Sequence, residues 1–182
     1  IYIAHCRFPS EKAHSLQIAK MCESFKGRGV ELELVVPKKH RQIKETVTEF
    51  FNLKEKFVVT YLWTLDWFPT STFGFLLSAF IFGWSTFFYL WRQRDFDLIY
   101  SIDLDPWSFV GALFLGRPCF FEMHGPKKST ILNRLLFKKV QGVFAINESI
   151  KRNLLANFPT LKPEQVLISP NGVDLSFVQV SR

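Results

Sequence analysis

The feature that most constrains this chain is an alternation of short, nearly continuous apolar runs with segments of helical periodicity. Three of the runs are VELELVVP at Val30–Pro37, DLIYSI at Asp97–Ile102 and PCFFEM at Pro118–Met123. Strands that are covered on both faces have this composition, and strands that alternate with helices form parallel sheets through βαβ units. The sequence therefore predicts an α/β fold: a Rossmann-like, doubly wound parallel sheet of about seven strands with helices on both faces.

The remaining elements follow from the same patterns, and the 182 residues suffice for one domain with a core. Further strands are predicted at Ile1–His5, Lys56–Leu62, Gly142–Ile146 and Gln165–Ser169. Helices are predicted at Glu11–Lys26, Gln42–Leu53, Pro106–Leu115, Ser129–Val140 and Glu148–Phe158. Ser10 is expected to cap the first helix, with Gly27 and Gly29 at its end. The domain is expected to span 1–170, and 171–182 to begin a linker.

Charge and cysteine content narrow the class of protein. The net charge is +7, which indicates attraction to anions. No recognition helix, aromatic RNA-binding strand or basic stripe is present, so nucleic acid is not a predicted partner. The cysteines Cys6, Cys22 and Cys119 fit neither a disulfide framework nor a metal-ligand spacing. They predict buried thiols in a reducing, cytoplasmic setting and no bound metal.

One segment is long and apolar enough to raise the question of a membrane. No charged residue lies between Asp66 and Arg92, and Phe73–Trp91 contains nine aromatic residues. A membrane-spanning helix needs about 20 residues, but strands are predicted on both sides of the segment, and a crossing would divide one sheet between two compartments. Three interpretations are open at this point: a buried crossover helix, a helix with one face in the lipid interface, or a spanning helix.

Chemistry is expected where the strands end, because ligands of open parallel sheets bind at the carboxyl ends of the strands. The loop after the first strand carries Arg7, Pro9, Ser10, Glu11 and Lys12 and leads into a helix N-terminus, which favours an anion. The alternative is a plain capped helix with solvated charges. The loop lacks the glycine pattern of dinucleotide-binding folds, so a bound dinucleotide is not expected there.

Four other strand ends carry polar residues. His124 and Gly125 follow the fifth predicted strand, where a histidine can exchange hydrogen bonds with a ligand near neutral pH and the glycine leaves room for it. Asn147 follows the sixth strand and Asn171 the seventh; the alternative for Asn147 is a helix cap. The last pair, Asp103 and Asp105 after the fourth strand, could act as acid and base or as a cap and turn.

Several of these segments, taken in order, resemble glycosyltransferase family 4. The loop and helix at Phe8–Pro37 resemble the family's first βαβ unit, and His124-Gly125 resembles its histidine after the fifth strand. The stretch VFAINESIKRNLLANF at Val143–Phe158 resembles its strand and helix before the hinge. PNGVDLSF at Pro170–Phe177 resembles the segment that enters the second domain. The resemblance covers nearly the whole chain.

The resemblance implies a GT-B fold, with two Rossmann-like domains and an active site between them. It implies a UDP- or GDP-sugar donor as substrate, a sugar or lipid-linked acceptor, retention of configuration, and no metal or other cofactor. His124 would be the catalytic residue that contacts the donor sugar. His14 and Gln17 would face the acceptor, and the loop Pro9–Lys12 would lie near the donor phosphates and the acceptor. The implied donor and acceptor cleft comprises Pro9, Ser10, Glu11, Lys12, His14, Gln17, Gly125, Asn147 and Asn171.

One departure from the family pattern affects the phosphate contact. Many members have glycine in the loop after the first strand, whereas Arg7 to Lys12 contains none. The side chains of Ser10 or Lys12 are therefore the expected contacts, rather than the backbone.

The resemblance also sets an expectation for the parent protein. The acceptor-side domain would be followed past Arg182 by a donor-binding domain, and the fragment alone would be inactive. The expected location is the cytoplasm, with peripheral contact to the inner face of the membrane through Phe73–Trp91. The alternative is a non-catalytic Rossmann-like module that binds a membrane surface or a protein partner.

Overall fold

A computed structural model of the chain describes residues 1–39, 45–65, 71–102 and 106–172. Within these ranges it contains a seven-stranded sheet in the order β3-β2-β1-β4-β5-β6-β7, with every neighbouring pair parallel. This confirms the predicted doubly wound α/β fold. The strands are β1 Tyr2–Ile3, β2 Glu33–Pro37, β3 Val58–Leu62, β4 Ile99–Ile102, β5 Cys119–Met123, β6 Gly142–Ala145 and β7 Val166–Ile168.

In the same ranges, six α-helices cover the two faces of the sheet. They are α1 Ala13–Gly27, α2 Val47–Phe50, α3 Thr72–Arg92, α4 Pro106–Phe109, α5 Ile131–Lys139 and α6 Glu148–Asn157. A 3-10 helix, Val110–Leu115, continues α4, and a second, Pro163–Gln165, precedes β7.

Alternation along the strands divides the core into two clusters. In β1, Tyr2 joins a cluster with Ile18 and Cys22 of α1, whereas Ile3 joins a cluster with Phe82 of α3 and Leu136 of α5. Successive residues of a strand point to opposite faces of its sheet. The α1 and α2 segments therefore cover one face, and α3 to α6 cover the other.

The predicted start of the first helix is wrong. Helix α1 begins at Ala13 rather than Glu11, and no side chain caps its N-terminus, so Ser10 is not its cap. The Ser10 N–H donates to Ser15 Oγ over 3.0 Å. The N-cap position belongs to Lys12, whose side chain cannot accept a hydrogen bond. Helix α2 begins at Val47 because Thr46 forms a capping box with Glu49; the predicted start at Gln42 lies outside the described residues.

The burial of helix α3 is intermediate between a buried crossover helix and a membrane-spanning helix, two of the interpretations open from the sequence. Its 21 residues have a mean hydropathy of 1.6 over the most apolar window, yet only 39% of that window is buried. One side packs against α4 and the 3-10 helix. Strands of the same sheet both precede α3 in the chain, as β3, and follow it, as β4. A helix packed in this way is neither enclosed by the protein nor surrounded by lipid.

Gly83 allows the closest contact of α3 with its neighbour. A Cβ atom at this position would collide with the backbone carbonyl oxygen of Trp107 in α4. Since glycine has no such atom, the two helix backbones can touch, and this contact fixes the position of α3 above the sheet.

The cysteines fit the predicted role of structural thiols. Cys22 and Cys119 are buried and Cys6 is half-buried, and all three are free. Burial raises the pKa of the Cys6 thiol to about 12 and that of Cys119 to about 11. These thiols are therefore protonated and unreactive near neutral pH.

Candidate functional site

The strand order places a crevice at the centre of the sheet. From β1 the chain passes to β2 on one side, and from β4 it passes to β5 on the other, although β1 and β4 are hydrogen-bonded neighbours. At such a switch point the loops that follow the two strands diverge and leave an opening outside their carboxyl ends. The carboxyl ends of Tyr2–Ile3 and Ile99–Ile102 therefore border this crevice.

A cavity of about 750 Å³ opens beside the loop that follows β1. Three cationic side chains, Arg7, Lys12 and Lys39, line it together with two carboxylates, Glu11 and Glu45. Helix α1 begins at the same place, and its N-terminus has no side-chain cap. Free backbone N–H groups and the helix dipole attract negative charge, so the cavity is electrostatically suited to an anion.

Five of the residues predicted for the cleft line this cavity together: Pro9, Ser10, Glu11, Lys12 and His14. Apolar side chains form another part of the lining, among them Phe50, Leu65 and Phe75. The cavity thus combines a cationic part with an apolar part.

A buried carboxylate lies beside the predicted catalytic histidine. Glu122, the fourth residue of β5, is only 3% exposed. Its Oε1 lies 2.7 Å from His124 Nε2, and its Oε2 accepts a hydrogen bond from the Tyr100 hydroxyl over 2.6 Å. Burial alone would raise the pKa of Glu122, but the hydrogen bonds from His124 and Tyr100 outweigh it and hold that pKa below its ordinary value. The carboxyl group is therefore ionised at neutral pH.

The ionised carboxylate fixes the proton on the histidine ring. A carboxylate only accepts hydrogen bonds, so the 2.7 Å contact requires His124 Nε2 to carry the hydrogen. Nδ1 is then the ring atom whose protonation decides the charge of His124. On the other side of Glu122, burial and the carboxylate raise the pKa of Tyr100, which keeps its hydroxyl proton. The arrangement orients the imidazole in the way a carboxylate orients a catalytic histidine.

Gln17 joins three strand ends at this point. Its Nε2 lies 3.4 Å from Glu122 Oε1, 3.1 Å from His124 Nε2 and 3.2 Å from Asn171 Oδ1. The amide has two hydrogens, and with His124 Nε2 protonated they go to Glu122 and Asn171. Residues that follow β1, β5 and β7 therefore meet at a single amide, as the prediction of one common rim requires.

The other predicted site residues are placed as follows. Gly125 continues the turn after β5, and a Cβ atom there would meet open space. Asn147 is the N-cap of α6: its Oδ1 accepts from the Ile150 N–H over 2.9 Å, so the structure uses its side chain as the cap. Asp103 and Asp105 lie outside the described residues.

Sequence reasoning missed two members of the network, Glu122 and Tyr100. A signal for Glu122 was present: a charged residue within the apolar run PCFFEM, two positions before His124 and so on the same face of the strand. No comparable signal marks Tyr100, because its contact with Glu122 arises only when β4 pairs with β5.

The described residues offer no cluster of three or more His, Cys, Asp or Glu side chains that could hold a metal ion. The chemical resources of the site are thus a buried carboxylate–imidazole pair, two amides and a cation-lined cavity. They can bind hydroxyl groups and stabilise negative charge.

Comparison with known proteins gives one sequence match and several structural matches. The sequence matches the profile of Glycosyltransferase Family 4 over residues 15–177. No curated protein sequence matches the chain.

Among solved structures, a glycosyltransferase from Rickettsia africae superposes with a TM-score of 0.60 and 12% identity, over 97% of this chain and 44% of that one. A lipopolysaccharide outer core galactosyltransferase gives 0.66 and 10%, over 96% and 46%. The UDP-GlcNAc 2-epimerase of Neisseria meningitidis, bound to UDP-GlcNAc, gives 0.66 and 14%, over 99% and 49%. At such identities the likeness concerns the fold, and the chain spans about half the length of these structures.

Proposed function

Because the chain belongs to glycosyltransferase family 4, we propose that it is the acceptor-side half of a GT-B glycosyltransferase. The reaction transfers a sugar from a UDP- or GDP-sugar to a hydroxyl of a sugar or lipid-linked acceptor, with retention of configuration and without a metal ion. Residues 1–170 form the N-terminal domain, and the segment from 171 onward leads to a donor-binding domain. The free cysteines fit a cytoplasmic location.

The observation that carries this proposal is the convergence of His124, Glu122, Gln17 and Asn171 at one edge of the sheet. The cation-lined cavity includes His14, which lies one turn before Gln17 on α1. In a transfer from a nucleotide sugar, the bond between the anomeric carbon and the diphosphate oxygen breaks and the acceptor hydroxyl oxygen bonds to that carbon. The hydroxyl proton passes to the departing diphosphate. His124, held by Glu122, is positioned to exchange hydrogen bonds with a hydroxyl of the sugar. Gln17 is the corresponding contact for the acceptor.

Negative charge on the departing diphosphate requires a positive environment. The uncapped N-terminus of α1, with Arg7, Lys12 and Lys39 around it, supplies one. The fold supports the donor class, since the Neisseria epimerase of the same fold binds UDP-GlcNAc. Family membership favours transfer over epimerisation.

The test uses the natural full-length protein with UDP- and GDP-sugars and compares His124→Ala with the parent. We expect kcat to fall about 100-fold, the usual effect of removing one hydrogen-bonding group aimed at the reacting sugar. Ser24→Ala, a substitution at an exposed position of α1 about two turns beyond Gln17, serves as the control and should leave kcat unchanged.

Two outcomes would contradict the proposal. Turnover in His124→Ala that stays within about threefold of the parent, a change of less than about 1 kcal/mol, would remove His124 from the reaction. Conversion of the nucleotide sugar to its epimer, with no product formed on any acceptor, would show that the protein shares the fold of the epimerases and also their chemistry. A protein that turns over no nucleotide sugar would instead support a non-catalytic module.

A further inference from the structure

Helix α3 has its aromatic side chains on the outside. The residues that it buries are mostly small or hydroxylated: Gly74, Ser78, Ala79, Phe82, Gly83, Thr86 and Leu90. Its exposed residues include Phe80, Trp84, Phe88 and Trp91, which are 44% to 54% exposed. A helix on the surface of a water-soluble protein shows the reverse arrangement, with its polar face outward.

These rings form one continuous surface with two residues from the neighbouring elements. Phe80 lies against Trp84 and Trp107, with ring centroids 6.2 Å and 6.3 Å apart, and Trp84 stacks on Phe88 at 5.7 Å. Phe114 of the 3-10 helix, 62% exposed, lines with them an apolar groove of about 240 Å³. We call Phe80, Trp84, Phe88, Trp91, Trp107 and Phe114 the aromatic surface. A contiguous apolar patch of this kind marks an interaction site, whereas single exposed apolar residues do not.

Cationic side chains border the aromatic surface at the end of α3. Lys139 of α5 places its Nζ 4.3 Å from the centroid of the Phe114 ring. Arg117 donates to the Arg94 carbonyl oxygen over 2.6 Å and lies over the Phe96 ring. With their neighbours in the chain, the cations of this rim are Arg92, Arg94, Arg117, Lys138 and Lys139, against the acidic residues Asp95 and Asp97.

We propose that the aromatic surface and its cationic rim dock on an anionic lipid bilayer. Tryptophan and phenylalanine rings insert at the boundary between acyl chains and headgroups, and lysine and arginine beside them bind the acidic headgroups. A second copy of the chain fits less well, because this face carries more cations than acidic residues, so a two-fold dimer that pairs it with itself leaves cations without acidic partners. The excess of cations at the rim thus favours lipid as the occupant.

Docking in this orientation would also place the cleft near the lipid. The first turns of α3 line the cation-lined cavity through Gly74, Phe75 and Ser78, and the helix runs on to Trp91, about 25 Å away at 1.5 Å per residue. A helix lying along the bilayer therefore brings the apolar side of the cavity to the headgroup region. An acceptor carried on a lipid could enter there; this last step rests on the proposed function.

The test is co-sedimentation of the full-length protein with vesicles of phosphatidylcholine alone or mixed with phosphatidylglycerol, without substrate. We expect binding to the mixed vesicles.

The double variant Trp84→Ser/Trp91→Ser should bind about tenfold more weakly, because two interfacial anchors are lost. Lys138→Glu/Lys139→Glu should weaken binding by at least as much and remove most of its salt dependence. Val30→Ser, an exposed apolar residue after α1 on the other face of the sheet, should bind like the parent.

Three results would overturn the proposal. Mixed vesicles could fail to bind the parent, or could bind all variants equally. A concentration-dependent dimer that disappears in Trp84→Ser/Trp91→Ser would identify a second copy as the occupant. A large drop in the melting temperature of that variant would show that another part of the full-length protein covers the surface. The vesicle assay contains no substrate, so its result does not depend on the transfer reaction that the His124→Ala assay measures. Failure of one proposal can therefore be told apart from failure of the other.

Discussion

Helices α1 and α3 cover opposite faces of the same sheet, and they distribute polar and apolar side chains in opposite ways. On the α1 side, the carboxylate of Glu122 is buried next to the cleft, and its polar partners Tyr100 and Gln17 are half-buried. On the α3 side, Trp84 and Phe88 lie on the surface. Charged and polar side chains usually lie on a protein surface, and large aromatic side chains usually lie in its core. The two exceptions thus mark the two candidate functional regions.

The largest effect should come from two phenylalanines of α3 that differ only in the direction they face. Phe82 is fully buried and Phe88 is 53% exposed. Phe82→Ala should lower the free energy of unfolding by about 3–5 kcal/mol, because it leaves a cavity in the core. Phe88→Ala should change it by less than about 0.5 kcal/mol. Urea denaturation measures both, and equal losses would show that the exposed face of α3 is covered in solution.

A smaller effect should separate two tyrosines of the α1 side. Tyr100 donates its hydroxyl hydrogen to Glu122, whereas the buried hydroxyl of Tyr2 has no hydrogen-bond partner among the described residues. Tyr100→Phe should lower the free energy of unfolding by about 1–2 kcal/mol, because Glu122 loses a donor in the interior. Tyr2→Phe removes a hydroxyl that gains nothing, so it should be neutral or stabilising. If Tyr2→Phe proves the more damaging in thermal unfolding, the polar network contributes little.

The smallest effect is a pH dependence confined to the α1 side. The pKa of Glu122 in the folded protein lies below its ordinary value of 4.5. Its contribution to stability is therefore complete above about pH 4.5 and is lost as the pH falls through the folded-state value. The difference in free energy of unfolding between the parent and Glu122→Gln should stay constant above about pH 5 and shrink as the pH falls below about pH 4.5. If this difference in free energy instead grows as the pH falls, the pH dependence has the opposite sign, and the Glu122 carboxyl is not ionised in the folded protein.

Most of the fold could be predicted from the sequence, because strands and helices differ in local pattern. All seven strands were expected, since runs such as DLIYSI and PCFFEM are mostly apolar and are followed by polar or turn residues. The helix starts were harder. Ser10 is a residue type that commonly caps helices, but α1 begins at Ala13 with Lys12 at the N-cap, and nothing in the local sequence signals that later start.

The candidate site was predictable only in part. His124 and Asn171 could be selected because each follows a strand, and parallel strands end at one edge. That Gln17 would meet both depends on how α1 lies across the sheet, which the sequence does not encode locally. The outward face of α3 posed a different problem. Its composition predicted an apolar helix, but which rings faced outward depended on the backbone contact that Gly83 permits with Trp107.

The sheet order has a consequence for how the chain acquires its structure during synthesis. Tyr2 and Ile3 pair on one side with β2 and on the other with Tyr100 and Ser101, which the ribosome adds far later. Contacts so distant in sequence form slowly. Helix α3 is complete at Arg92, before α4 and the 3-10 helix that pack against it exist. The nascent chain therefore presents both apolar sides of this helix at once for several seconds, at about 5–20 residues per second. Chaperones would have their strongest opportunity to act on the growing protein in that interval.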